Sequence, residues 1–229
     1  MTAERRLRFL LLFDLTTERV LYGLLHLALL AAFVGLLPRL ACFASGLLLY
    51  HFAPLESLIN SANPYLRGLT LPALGLLVLS FARPGGAGRS GEYRWPLALV
   101  QVLFCEVYLF AGYSKLFASG LGWLDAENIR GHLLLLNQAA GLDPRGSWGY
   151  LLASVPAAGV LLAWGGLLFE LVFPAVLFSR TARWVLLPAA LVFHVANAVL
   201  FRINFHNTAL LLLFVDWDAW WPGRTAADA

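Results

Sequence analysis

Six long apolar runs limit this chain to one class of fold. They cover residues 20–37, 40–52, 66–82, 96–117, 157–178 and 184–201. A helix needs roughly 20 residues to cross the hydrocarbon core of a bilayer. Backbone polar groups inside lipid must be satisfied within the segment, so runs this long and continuous read as helices and exclude spanning sheet. A seventh run, 208–217, is too short to cross untilted; it is expected to extend back through Asn204 or to be re-entrant. The expected fold class is all-α: a polytopic transmembrane helix bundle of six to seven spans plus interfacial helices. One integral membrane domain would fill residues 1–229, with its core at about 20–217.

Composition agrees. Hydrophobic residues make up 60% of the chain, charged residues 13%, and the mean hydropathy is +0.75. A soluble domain carries about twice that charge. The formal net charge of +3 comes from Arg spread over loops. It points to topology and lipid headgroups, and no nucleic-acid partner is expected. Arg39, the Gly-rich loop with Arg83, Arg89 and Arg94, and the Arg180/Arg183 loop fall on one side by span alternation. The positive-inside rule makes that side cytoplasmic, with residues 119–156 opposite. Arg5, Arg6, Arg8 and Arg19 then fall on the wrong side. No leader is expected at the N-terminus, because Asp14 and Glu18 break its apolar run. Cys42 and Cys105 lie in apolar runs without a CxxC and read as buried thiols.

The stretch 119–156 is too polar to span. Asp125 is placed to cap a helix over residues 125–137 that lies on the surface with its apolar side down.

Lys115 is the only lysine; the fifteen other basic side chains are Arg. It stands near the end of the fourth run, where an ammonium is costly unless it snorkels or has a task. Positions seven apart on a helix differ by about 20°. Gln101, Tyr108 and Lys115 therefore form one polar stripe, with Phe104, Ala111 and Gly112 on the same side and Glu106 opposite. Glu106 and Glu170 are carboxylates inside spans, expensive as free anions. Glu170 is expected to pair with Lys115 or an Arg, or to stay protonated. Gly165-Gly166, one turn before it, would admit a close helix neighbour.

His194 and Asn197 share a face of the sixth run, and His206 follows at its end. His51 ends the second run, with Asn60 and Asn63 in the loop after it. These groups gather on the side of the Lys115 end. No HxxxH or HxxE spacing is present, so no metal is expected. Paired haem ligands across helices stay open as an electron-carrier reading. No Walker loop, GxGxxG, GxSxG or inverted repeat is found.

Tyr108-Leu-Phe-Ala-Gly-Tyr-Ser-Lys-Leu, followed by Gly122-Trp-Leu, resembles the signature of the HTTM (horizontally transferred transmembrane) family. That family includes the membrane domain of vitamin K-dependent gamma-glutamyl carboxylase. Phe193-His-Val-Ala-Asn and Asn204-Phe-His-Asn-Thr-Ala-Leu-Leu resemble the family's His-bearing helix and the segment after it. The resemblance implies a quinol-dependent, carboxylase-like lyase or oxidoreductase. In such an enzyme O₂ oxidises a reduced naphthoquinone, menaquinol or a vitamin K hydroquinone, and the strong base formed removes a substrate proton. Lys115 matches the family's candidate base. A base must be neutral, and an apolar site favours the uncharged amine. His51, Asn60, Asn63, Tyr108, Trp123, His194, Asn197 and His206 would then be pocket groups. Against the family pattern, the chain is expected to begin after the first span, and no propeptide site is implied. The alternative is a non-catalytic membrane subunit that binds lipid or a protein partner. A multi-pass place in a bacterial inner membrane suits either reading.

Overall fold

The computed structural model describes residues 15–52, 69–82 and 95–215. All regular structure among the described residues is helical. The chain divides into two units, Met1–Val100 with Asp216–Ala229, and Gln101–Val215.

In the first unit, α1 (Leu15–Phe33), α2 (Pro38–Tyr50) and α3 (Thr70–Leu79) carry the first three apolar runs. The turn after α1 uses Gly35 at φ 74° and Leu37 at φ 45°. Pro38 then opens α2, where its missing N–H is no loss. The second helix packs against both neighbours. Its buried stripe is Ala41, Ser45 and Gly46, small residues that let α3 approach. A Cβ on Gly46 would lie 2.7 Å from Leu77 Cγ and 3.0 Å from its backbone N. Arg39 Nε donates to the Ser80 carbonyl at 3.1 Å and satisfies the open end of α3.

The second unit holds the rest of α4 (Trp95–Ser119), then α5 (Ala126–Ala139), α6 (Trp148–Ala153), α7 (Pro156–Val172) and α8 (Arg180–Ala196). Short helical segments extend three of these: tight 3-10 turns, Gly120–Leu124 after α4 and Phe173–Leu177 after α7, and a wider π turn, Asn197–Phe201, after α8. Local signals set the boundaries. Gly120 at φ 54° follows the end of α4. The Asp125 side chain accepts from the Glu127 N–H and caps α5, as the sequence suggests. Ser179 caps α8 by accepting from the Ala182 N–H.

Among the described residues, three stretches are long and apolar enough to cross a membrane: Trp95–Leu124, Pro156–Leu177 and Arg180–Phe201. They match the fourth, fifth and sixth runs. The described parts of α2 and α3, 13 and 10 residues, are shorter than a crossing needs. The seventh run forms a 3-10 helix, His206–Phe214. At about 2 Å per residue it reaches roughly 18 Å, short of a bilayer core.

Large apolar side chains stay exposed along the long helices, among them Phe110 on α4, Leu161 and Leu168 on α7, and Val192 and Val195 on α8. Exposed apolar surface on this scale suits lipid contact. The interior is aromatic: Phe104 and Phe173 are fully buried, and the Tyr108 ring lies 4.1 Å from that of Phe173. Beside it, Ile129 and Leu133 of α5 bury against Ala153 of α6 and Ala163 of α7.

Candidate functional site

The polar stripe of α4 faces inward, and each member reaches a different partner. Gln101 Nε2 donates to the Leu213 carbonyl at 2.6 Å. The Tyr108 hydroxyl stands 2.6 Å from His194 Nε2. Lys115 Nζ donates to Glu170 Oε1 and forms an ion pair with it. Glu106, on the opposite face, is exposed. Of the partners considered for Glu170, the structure selects Lys115.

Gly112 makes this pair accessible. It lies one turn before Lys115, and a Cβ there would meet Leu171 Cδ2 at 2.9 Å and Glu170 Cβ at 3.3 Å. Close approach of α4 to α7 thus depends on Gly112. Gly165 does not serve that purpose: nothing lies within 4 Å of its would-be Cβ, and Gly166 meets only Phe193 at 3.8 Å.

Glu170 is buried, with a side chain only 5% exposed, while that of Lys115 is 22% exposed. The Trp123 ring lies under the ammonium, its centroid 5.1 Å from Nζ, within range of a cation–π contact. His132 of α5 stands against Trp123, ring centroids 5.7 Å apart. These four side chains line a cavity of about 470 Å³. Its other walls are apolar or small: Ala111, Leu136, Leu161, Leu162, Gly165, Phe193, Phe201 and Phe205 are among them, with the polar Asn197. Glu170 Oε2 is buried with no hydrogen-bond partner among the described residues.

Of the residues singled out from sequence, Lys115, Trp123 and Asn197 share the cavity wall. Asn197 Nδ2 donates to the Phe193 carbonyl at 2.8 Å. Tyr108 and His194 are not wall residues. They are buried as a hydrogen-bonded pair, and Phe205, which is in the wall, packs on the His194 ring at 5.0 Å. His194 Nδ1 is buried without a partner among the described residues. His51 lies in the first unit at the end of α2, its ring edge-on to Phe52. The cavity wall comes from the second unit alone. Asn60 and Asn63 fall outside the described residues, and His206 opens the final 3-10 helix. Cys105 is a buried free thiol, while Cys42 is only half-buried. Among the described residues no group of His, Cys, Asp or Glu is gathered to hold a metal ion.

Two features escape sequence reading. His132 looks like any polar residue of a surface helix. Asn137 is fully buried: its Nδ2 donates to the carbonyls of Leu133 at 2.8 Å and Leu200 at 2.6 Å, and its Oδ1 accepts from the Ser147 hydroxyl at 2.5 Å. This network ties α5, which carries His132, to the π turn that begins with Asn197. Its only sequence signal is the four-residue spacing Ile129, Leu133, Asn137.

Chemically, the site offers an amine and a carboxylate that can hold one proton between them, an aromatic face and an apolar chamber. Cavities of 300–1,000 Å³ suit small molecules. The model of the HTTM domain matches residues 89–220, more than half of the chain. Comparison with curated proteins and with solved structures found no match.

Proposed function

The chain belongs to the HTTM family, and on that premise we propose that it is a carboxylase-like membrane enzyme with Lys115 as its base and a reduced naphthoquinone as its co-reactant. One observation carries this reading: Lys115 and Glu170 are paired on the wall of an apolar cavity of small-molecule size. The reading also has the chain crossing a bacterial inner membrane six to seven times, with menaquinol or a vitamin K hydroquinone as the quinol.

The cavity fits such a group on two counts. Trp123, Phe193, Phe201 and Phe205 give its wall aromatic surface, and Glu170 Oε2 is an acceptor with no partner among the described residues. A reduced naphthoquinone supplies, with O₂, the oxidation that generates a strong base. The protein's task is to take up a hydroxyl proton at Lys115 Nζ. For that, Lys115 must start as the free amine beside the Glu170 carboxylate, a pair with one negative charge. The proton taken up would make the ammonium and leave the negative charge on the oxygen that gave it up. The Lys115–Glu170 ion pair of the structure is then the protonated form, neutral overall in a setting where a lone charge is costly. Trp123 favours the ammonium once the proton has arrived. The phenylalanines of the wall make that setting apolar.

A second reading, the non-catalytic membrane subunit, is favoured by the same ion pair, which by itself ties α4 to α7. Quinol oxidation separates the two. Protein in liposomes is given menaquinol under air, and O₂ uptake is followed against protein-free liposomes. The enzyme reading expects uptake by the wild type and a loss of about 100-fold or more in Lys115→Arg, which keeps the charge but cannot act as a base. A fully active Lys115→Arg protein ends the catalytic role of Lys115. No uptake by the wild type leaves the subunit.

A further inference from the structure

The two oxygens of Glu170 have different surroundings. Oε1 accepts from Lys115; Oε2 is buried and accepts from nothing among the described residues. Glu170 is 4% exposed and forms part of the cavity wall. A buried acceptor without a donor is costly, and a ligand that brings the donor removes that cost. Of the other polar wall groups, Lys115 gives one of its three N–H donors to Oε1, the Asn197 amide donates to Phe193, and His132 stands against Trp123.

We propose that Glu170 is a specificity-determining residue, whose free oxygen makes the cavity take aromatic rings that carry a hydroxyl donor and reject rings that offer only a carbonyl acceptor. This rests on the quinol reading above and adds to it the atom that tells the reduced ring from the oxidised one. The two forms share a carbon skeleton and nearly a shape, so apolar walls barely distinguish them. Opposite Oε2, a hydroxyl donates a hydrogen bond, whereas a carbonyl sets two acceptors against each other. The cavity would thus release the oxidised ring once its hydroxyls are gone.

Glu170→Gln inverts the logic with little change in shape. The amide oxygen still accepts from Lys115, and the amide NH₂ then occupies the place of Oε2, a donor where there was an acceptor. Binding is read by calorimetry on detergent-purified protein under argon, with menadiol and menadione as probes, so no turnover is needed. A redox-inert pair, 1-naphthol and 1-fluoronaphthalene, repeats the comparison with the hydroxyl replaced by a group of similar size. We expect the wild type to bind menadiol at least about tenfold more tightly than menadione, the scale of one hydrogen bond to a charged group. Glu170→Gln should bring that ratio to one or below, and the naphthol preference should fall with it. Equal affinities in the wild type, or an unchanged preference in a folded Glu170→Gln protein, overturn the assignment while leaving a ring-binding cavity. Binding of none of the four probes overturns the quinol reading itself, and this inference with it.

Discussion

At the scale of the residue, the Lys115–Glu170 pair bears on stability. Burying a charge is tolerable only with a partner, and removing one partner costs more than the pair returns. Glu170→Leu should therefore cost about 3 kcal/mol, because an ammonium is left facing an apolar wall. Glu170→Gln keeps the acceptor and should cost roughly 1 kcal/mol or less. Lys115→Met combined with Glu170→Leu should cost less than the two single changes added, with a coupling of about 1 kcal/mol or more. Unfolding in detergent measures these four variants against the wild type; simple additivity would show that the two side chains do not interact. Gly112 belongs at this scale too, since a larger side chain would push Leu171 and Glu170 away from α4.

At the scale of the element, α5 is an amphipathic helix with one polar residue on its buried face. Asn137 satisfies the Leu200 carbonyl at the end of the α8 π turn and holds Ser147, the cap of α6. Gly149 leaves room for it: a Cβ there would stand 2.6 Å from the Leu200 oxygen. Asn137→Leu leaves that carbonyl buried and unpaired and removes the acceptor of the Ser147 hydroxyl, whose oxygen keeps only the Gly149 N–H, which should cost about 2 kcal/mol. Hydrogen exchange should quicken in α5 and α6 and leave the middle of α7 unchanged. Uniform loss of protection would mean that the network supports the whole unit. The π turn has a local origin as well: Arg202 at φ 57° ends it, and Ile203 N donates to the Asn197 carbonyl across it.

At the scale of the molecule, the long span Pro156–Leu177 separates the polar segment 120–155 from the Arg180–Arg183 turn. Twenty-two residues at about 1.5 Å each give roughly 33 Å, a bilayer core. The positive-inside rule puts the expected cytoplasmic side at the Arg180–Arg183 turn. Cysteines introduced at the exposed positions Arg145 and Thr181 should label from opposite faces, Thr181→Cys only once the cytoplasmic side is opened. Labelling of Thr181→Cys from outside intact cells would reverse the orientation.

Sequence by itself determined what neighbours along the chain can encode. Apolar runs of bilayer length require helices, Asp125 marks a helix start, and seven-residue spacing aligns Gln101, Tyr108 and Lys115 because helix geometry returns them to one side. Tertiary structure alone decided which surfaces meet. The partners of that stripe, Leu213, His194 and Glu170, lie 112, 86 and 55 residues away, and periodicity carries no record of such distances. For the same reason Gly165 and Gly112 look alike in sequence. One faces open space and the other the neighbouring helix. Asn137 reads as a surface polar residue until Leu200 and Ser147 arrive beside it. A side chain's cost and use depend on the dielectric and partners around it, and both come into being only when the helices pack.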